Sequence, residues 1–278
     1  MGLKSLLNKQ YRDKKVSFQI KRFFRFFKAK KDSTPIFVFG KQRSGTNMVI
    51  DVMRLHPDTE VFSESIESEA FLKWRIRSFE TLKSLIKSSK EPFVCFSPLM
   101  DSHLVEVFMQ QFSNGKFVWV YRDYRDNANS TLRKFPLGTR KIKDVLSKRQ
   151  DEKRKWFKDG ISPRTLDRLK NLNIEEFSEF DFACLTWWVR NRICVELDDV
   201  CLQKIIFIKY EDLATNPRET FKILCGKLGM RYLDKATCLI HSKSIGKNPY
   251  PEVHSDVKNL CDDLMEELDN YYQEANES

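Results

Sequence analysis

From residue 36 onward, short apolar runs alternate with stretches of helical periodicity. Ile36–Phe39 is a continuous apolar run closed by Gly40, the pattern of a buried parallel strand entering a tight turn. Met48, Val49, Val52, Met53 and Leu55 then recur at helical spacing up to His56-Pro57, which predicts a helix over 47–55. Residues 70–90 read as a second helix. "PFVCF" (92–96), "KFVWVY" (116–121) and "KIIFIKY" (204–210) read as three more strands. A polar helix is expected from Tyr124, and "DFACLTWWVRNRICVEL" (181–197) reads as a strongly amphipathic one. In "NPRETFKILCGKLGM", Asn216 is the expected N-cap, Pro217 takes the first helical position, and Glu219 completes a capping box. Residues 136–180 are charged and irregular and read as an insertion of short helices and loops. Strands alternating with helices predict an α/β fold in three layers, a central, mainly parallel sheet with helices on both faces.

Charge divides the 278 residues unevenly. The net charge is +10, yet residues 1–31 hold eleven Lys or Arg and one acid, Asp13. The rest of the chain is balanced, with 38 basic and 38 acidic residues. The excess therefore marks a tail and not a basic groove, and nucleic acid is not an expected partner. The chain divides into this tail, residues 1–33, and a single domain, 34–278. On a helix, Phe23, Phe24 and Phe27 fall within about 60° of Ile20, while Lys21, Arg22, Arg25 and Lys28 face away. Such a helix suits an anionic membrane surface, or equally the protein's own core or a partner subunit. No apolar run has signal-peptide or membrane-spanning length, so the expected location is cytoplasmic, at most peripheral on the inner face of a membrane. The seven cysteines include no C-x-x-C pair and are expected as reduced, buried thiols. The four histidines form no ligand cluster with them, and no metal is expected.

Candidate chemistry begins at "GKQRSGTN" (40–47). Gly40 and Gly45 have the spacing of a nucleotide phosphate loop, but Thr46 stands where the lysine would follow, and the cations lie inside the loop at Lys41 and Arg43. Backbone N–H groups of a tight loop before a helix make a nest for anionic oxygens, to which Ser44 and Thr46 add hydroxyls. In "YRDYRDNANS", Arg122 closes a strand and Ser130 follows eight residues later on a helix. Ligands of open α/β sheets bind at such strand ends. An Arg-Asp pair there, taken alone, is more often a surface salt bridge. Together with the first loop it points to a ligand with two separated anionic groups.

These motifs, with "KYEDLATNPRETFKILCGKLGM", resemble the sulfotransferases that use 3′-phosphoadenosine 5′-phosphosulfate (PAPS). "RSGTNMVIDVMRLHPDTEVFSE" is similar to the tyrosylprotein branch and its bacterial relatives. The resemblance implies a fold like that of P-loop NTPases. It implies that Arg43, Ser44, Gly45, Thr46 and Asn47 hold the 5′-phosphosulfate, that Arg122 and Ser130 hold the 3′-phosphate, and that Tyr210 lies near the base. Ser244 and Lys247 fall in a segment that covers the nucleotide in the family. Glu64 matches the general base of the tyrosylprotein branch, with Glu67 and Glu69 as neighbouring alternatives. Arg43 and Lys41 would complete the catalytic set. That branch carries a further lysine on the strand matched by 92–96, where this chain reads "VCFSPLMDS"; Ser97 or Lys41 would substitute. The departure favours a carbohydrate or lipid-linked saccharide as the hydroxyl acceptor over peptide tyrosine. A metal-dependent P-loop kinase of a small metabolite and a non-catalytic nucleotide-binding protein are the competing readings.

Overall fold

In the computed structural model, the residues described are 32–136, 139–146, 160–237, 240, 245–246 and 249–277. The tail helix expected within residues 1–31 lies outside them. The main sheet holds five parallel strands, β1 (Thr34–Gly40), β2 (Thr59–Ser63), β5 (Phe93–Ser97), β6 (Lys116–Tyr121) and β7 (Ile205–Lys209), in the order β2-β5-β1-β6-β7. A small antiparallel hairpin, β3 (Phe71–Leu72) and β4 (Arg75–Ile76), stands apart from it. The helices are α1 (Thr46–Leu55), α2 (Phe79–Ser88), α3 (Val105–Gln111), α4 (Tyr124–Lys134), α5 (Arg140–Leu146), α6 (Pro163–Lys170), α7 (Glu179–Val195), α8 (Asp199–Leu202), α9 (Tyr210–Thr215), α10 (Pro217–Leu228) and α11 (Ser255–Glu277). A 3₁₀ segment, Leu99–Leu104, leads from β5 into α3.

The central strands are apolar on both faces because both are covered, as a parallel sheet requires. The two faces differ in residue type. Ile36 and Val38 of β1 and Val118 and Val120 of β6 meet Val49, Met53, Phe221 and Leu224 of α1 and α10. Phe37, Phe39, Phe117 and Trp119 point the other way, into an aromatic layer closed by α3, α7 and α11. There Phe37 stacks on Phe96 and Phe117 and meets Phe108 edge-on. This aromatic face accommodates the long α7, while the aliphatic face lets the short α1 pack close behind the loop at the end of β1.

Four expectations change. Residues 70–90 divide into the β3–β4 hairpin and α2, with Ser78 capping α2 through Thr81 N–H. β2 adds a fifth strand at the sheet edge. α7 is not amphipathic: 15 of its 17 residues are buried, because it lies between the sheet, α4 and α11. The capping box belongs to α7, where Ser178 and Asp181 cap each other's N–H groups, and not to α10. Asn216 makes no side-chain cap, because it also closes α9 and its backbone follows that turn (φ −125°, ψ 55°). Pro217 does take the first position of α10. Within 136–180, the described residues form α5, α6, the start of α7 and their connections. Six cysteines are described, all free and five of them buried. Among the described residues no helix is long and apolar enough to cross a membrane.

Candidate active site

Because the strands are parallel, their carboxyl ends converge on one edge of the sheet, and the candidate residues follow them directly. Gly40 ends β1, Glu64 follows β2, Leu99 lies just beyond β5, Arg122 follows β6 and Tyr210 follows β7. A cleft of about 460 Å³ opens there. Gln42, Arg43, Gly45, Thr46, Asn47 and Met48 line it from the loop, with Glu64, Trp74, Leu99, Arg122, Lys134, Phe135 and Tyr210 around them.

The loop is shaped by close approaches. Gly40 (φ +138°) passes so near β6 that a Cβ would lie 2.3 Å from the Val120 carbonyl oxygen. Arg43 itself has φ 73°, in the left-handed region that side chains other than glycine seldom occupy. Gly45 (φ +93°) precedes α1 without a side-chain cap, so the first-turn N–H groups of that helix suit an anion. A Cβ on Gly45 would lie 2.1 Å from Cδ2 of Tyr210. The Tyr210 ring also carries the Arg122 guanidinium, whose Cζ is 4.4 Å from the ring centroid. Gly45→Ala is therefore expected to cost about 2–3 kcal/mol, combining a forbidden backbone angle with overpacking. Chemical denaturation measures it, and a loss under about 0.5 kcal/mol would contradict this packing.

α4 braces the loop from the side. Asn127 is fully buried; its Nδ2 donates to the Gln42 carbonyl (3.1 Å) and to Ser44 Oγ (3.0 Å). Lys41, expected among the catalytic groups, is turned under the loop. Its Nζ donates to Asn127 Oδ1 and Thr131 Oγ1, each at 2.9 Å, and it does not line the cleft. The ammonium at this position holds loop and helix together. Arg43 Nε donates to Ser130 Oγ at 2.9 Å, so the serine of the second motif orients the arginine of the first. Arg122 pairs with Asp126 at 3.0 Å, both side chains being nearly buried. Asp126 also accepts from the Gly246 N–H (3.2 Å) and the Tyr250 hydroxyl (3.1 Å), which docks the late segment on this corner. Ser244 and Lys247, expected from that segment, lie outside the described residues. Asp123 caps α4 by accepting from the Arg125 and Asp126 N–H groups.

Glu64 is the acid of "ESIESE" that lines the cleft; Glu67 and Glu69 do not line it, and Glu67 faces Arg77. Glu64 Oε2 accepts from the Met100 N–H at 3.1 Å. Burial pushes its carboxyl up to about 7, and the nearby Asp101 adds to the rise. The Met100 and Leu99 amides and the Arg190 charge oppose it without cancelling it. The result is a carboxylate poised between its two states near neutral pH, which suits a general base.

Sequence reasoning missed Asn127, Asp126, Arg190 and Trp74. Arg190 was the most visible of these. A helix apolar all round has no solvent face, so an arginine within "TWWVRNR" must have a buried partner. It donates to the Leu99 carbonyl (3.3 Å) and pulls on Asp101 and Glu64. Trp187 and Trp188, both buried, belong to the core; Trp187 Nε1 donates to the Arg122 carbonyl at 2.9 Å.

Among curated proteins, none has a sequence significantly similar to this chain. Among solved structures, the sulfotransferase domain of the Synechococcus PCC 7002 olefin synthase is 14% identical, with 84% of this chain and 96% of that one covered and a TM-score of 0.47. A sulfotransferase from Mycobacterium avium is 10% identical over 92% of this chain and 80% of that one, with a TM-score of 0.45. A mouse sulfotransferase complexed with PAP is 15% identical over 91% and 86%, with a TM-score of 0.40. The family described as the sulfotransferase domain matches residues 33–245. That span contains the five strands of the main sheet and the whole lining of the cleft, and the chain belongs to the sulfotransferase family.

Proposed function

We propose that this enzyme transfers the sulfuryl group of PAPS to a hydroxyl of a saccharide or lipid-linked saccharide. The observation that carries the reading is one cleft holding a fixed cation, Arg43, and a carboxyl poised near neutrality, Glu64, with a second cation, Arg122, also lining it. PAPS supplies an activated sulfuryl group on a nucleotide phosphate. The N–H groups before and within the first turn of α1 suit the 5′ anion, with the Thr46 and Asn47 side chains beside them. Arg43 lies where charge grows on the departing phosphate oxygen, and Ser130 holds it there. Arg122, backed by Tyr210 and fixed by Asp126, presents a rigid guanidinium to the 3′-phosphate. Glu64 takes the acceptor's proton. Lys41 contributes by keeping the loop on α4 and not by touching the reacting atoms. The absence of a lysine from "VCFSPLMDS" supports an acceptor other than peptide tyrosine.

The donor is tested by thermal stabilisation with 3′-phosphoadenosine 5′-phosphate (PAP) against ATP with Mg²⁺. PAP at 100 times its dissociation constant should add about 2.7 kcal/mol. Arg122→Gln should remove most of that gain. Stabilisation by ATP with Mg²⁺ alone would replace the reading with a kinase, and a response to neither nucleotide would leave it without a donor. The basic, phenylalanine-rich tail would keep the enzyme beside a membrane-bound acceptor. Deleting residues 1–31 should then release it from anionic vesicles, and unchanged binding would exclude that role.

A further inference from the structure

The β3–β4 hairpin has a loop that its sequence does not favour. Its two central residues, Lys73 (φ 49°) and Trp74 (φ 68°), both lie in the left-handed region. That is the signature of a type I′ turn, a position normally filled by Asn-Gly. A tryptophan with positive φ is a true outlier, and such outliers gather where a side chain must be aimed. Trp74 is also 47% exposed, and it lines the cleft together with Glu64. Phe135, 46% exposed, lines the same cleft from the end of α4. Gln42, Asn47 and Lys134 add polar groups to the lining.

The hairpin is tied to the base by two routes. At its tip, Trp74 N–H donates to the Ser65 carbonyl (2.9 Å) and Lys73 N–H to the Ile66 carbonyl, which fixes Trp74 to the residues immediately after Glu64. At its return strand, Asp101 accepts from the Ile76 N–H (2.8 Å) and pairs with Arg75. Asp101 sits one residue beyond Met100, whose N–H holds the Glu64 carboxyl. Arg190 fixes the same turn through the Leu99 carbonyl. The indole and the carboxylate thus share one frame.

We propose that Trp74 is the acceptor platform: its indole face stacks on a pyranose ring and so sets one of that ring's hydroxyls before Glu64. The axial C–H groups of a pyranose carry partial positive charge and meet the negative face of the indole, while its hydroxyls meet neighbouring amides. An exposed indole set among polar groups fits a saccharide better than it fits a wholly apolar aromatic acceptor. This rests on the saccharide reading of the proposed function and names the residue that selects the ring.

The test uses the full chain and a panel of hexose and N-acetylhexosamine oligosaccharides, with simple phenols as the contrasting probe. Saturation-transfer NMR without donor should show magnetisation passing from wild-type protein to the saccharide protons. The signal should vanish in Trp74→Ala and largely survive in Trp74→Phe. With PAPS, Trp74→Ala should raise the saccharide KM by about 10–100-fold, because the stacking is lost, and lower kcat by about 3–10-fold, because the ring no longer holds its hydroxyl before Glu64. Trp74→Gly suits the left-handed turn and should melt no lower than wild type, so an equal failure to bind saccharide is not a folding defect. Saccharide binding that persists in Trp74→Ala, or sulfation of phenols with saccharides refused, overturns the proposal. If saccharide binding depends on Trp74 while PAP gives no stabilisation, the donor reading falls and the platform stands.

Discussion

Glu64→Gln is expected to lower kcat by 10²–10⁴-fold, about the range a positioned general base supplies, while PAP still stabilises the protein. The side chain keeps its size and can still bond the Met100 N–H through its carbonyl oxygen, so the change removes proton affinity and little else. The base must be ionised to act. With its carboxyl near 7, the wild-type rate should fall about tenfold per pH unit below that value, and the variant should lose this acid limb. Stability should move the other way. A carboxyl raised in the fold binds its proton more tightly folded than unfolded. Its stabilising contribution is therefore full below the unfolded value of 4.5 and is lost as the pH rises through about 7. Above pH 7 the wild type carries the cost of a buried charge, and Glu64→Gln should be more stable there by up to about 3 kcal/mol. A glutamine that makes an enzyme inactive and more stable at pH 8 is not explained by damage to the fold. Glu67→Gln, altering a neighbour outside the cleft lining, is the control. A Glu64→Gln enzyme at wild-type rate, or one whose acid limb survives, would remove Glu64 from the reaction.

What the sequence made legible follows from how each part is stabilised. β1, β6 and β7 are largely buried on both faces, and their apolar runs stand out against polar flanks. The loop after β1 was legible because its glycines are demanded by close approach, with Val120 at one end and Tyr210 at the other. β2, "TEVFS", is a half-buried edge strand with mixed residues and carries little signal. The hairpin was hidden because Lys73 and Trp74 occupy a turn without the glycine or asparagine that announces one. α7 reads as amphipathic only if a solvent face is assumed, and three layers of packing leave it none. α11 spaces Val257, Cys261, Leu264 and Leu268 at helical intervals, but its many acids mask the stripe. The site shows the same division. Arg43 and Arg122 lie in motifs and could be read from the chain, while Glu64 could be singled out only through the family resemblance, with Glu67 and Glu69 beside it, since β2 ahead of it carries little signal. The groups that hold them, Asn127, Asp126, Asp101 and Arg190, act through the packing of loops against helices, which no local pattern records.

Arg43→Ala should cost at least about 10²–10³-fold in kcat, comparable to removing a fixed donor from an oxyanion site. The magnitude follows from where the charge appears. In the ground state the bridging oxygen is shared with sulfur and carries little charge; as that bond breaks the charge concentrates there, so a nearby cation stabilises the transition state more than the bound donor. PAP affinity should accordingly fall much less than the rate. Arg43→Lys restores a charge but not the Nε that bonds Ser130, and should recover only part of the deficit. Ser130 completes the test. Its hydroxyl orients Arg43 and, by the family resemblance, would also meet the 3′-phosphate, and a double-mutant cycle separates the two parts. Ser130→Ala should lower kcat in wild type but hardly at all in Arg43→Ala, because orienting an absent group does nothing. Its effect on PAP binding should persist in both backgrounds. If Ser130→Ala lowers kcat equally with and without Arg43, the serine does not act through the arginine. If Arg43→Ala keeps its rate while PAP still binds, the departing oxygen needs a charge partner other than Arg43.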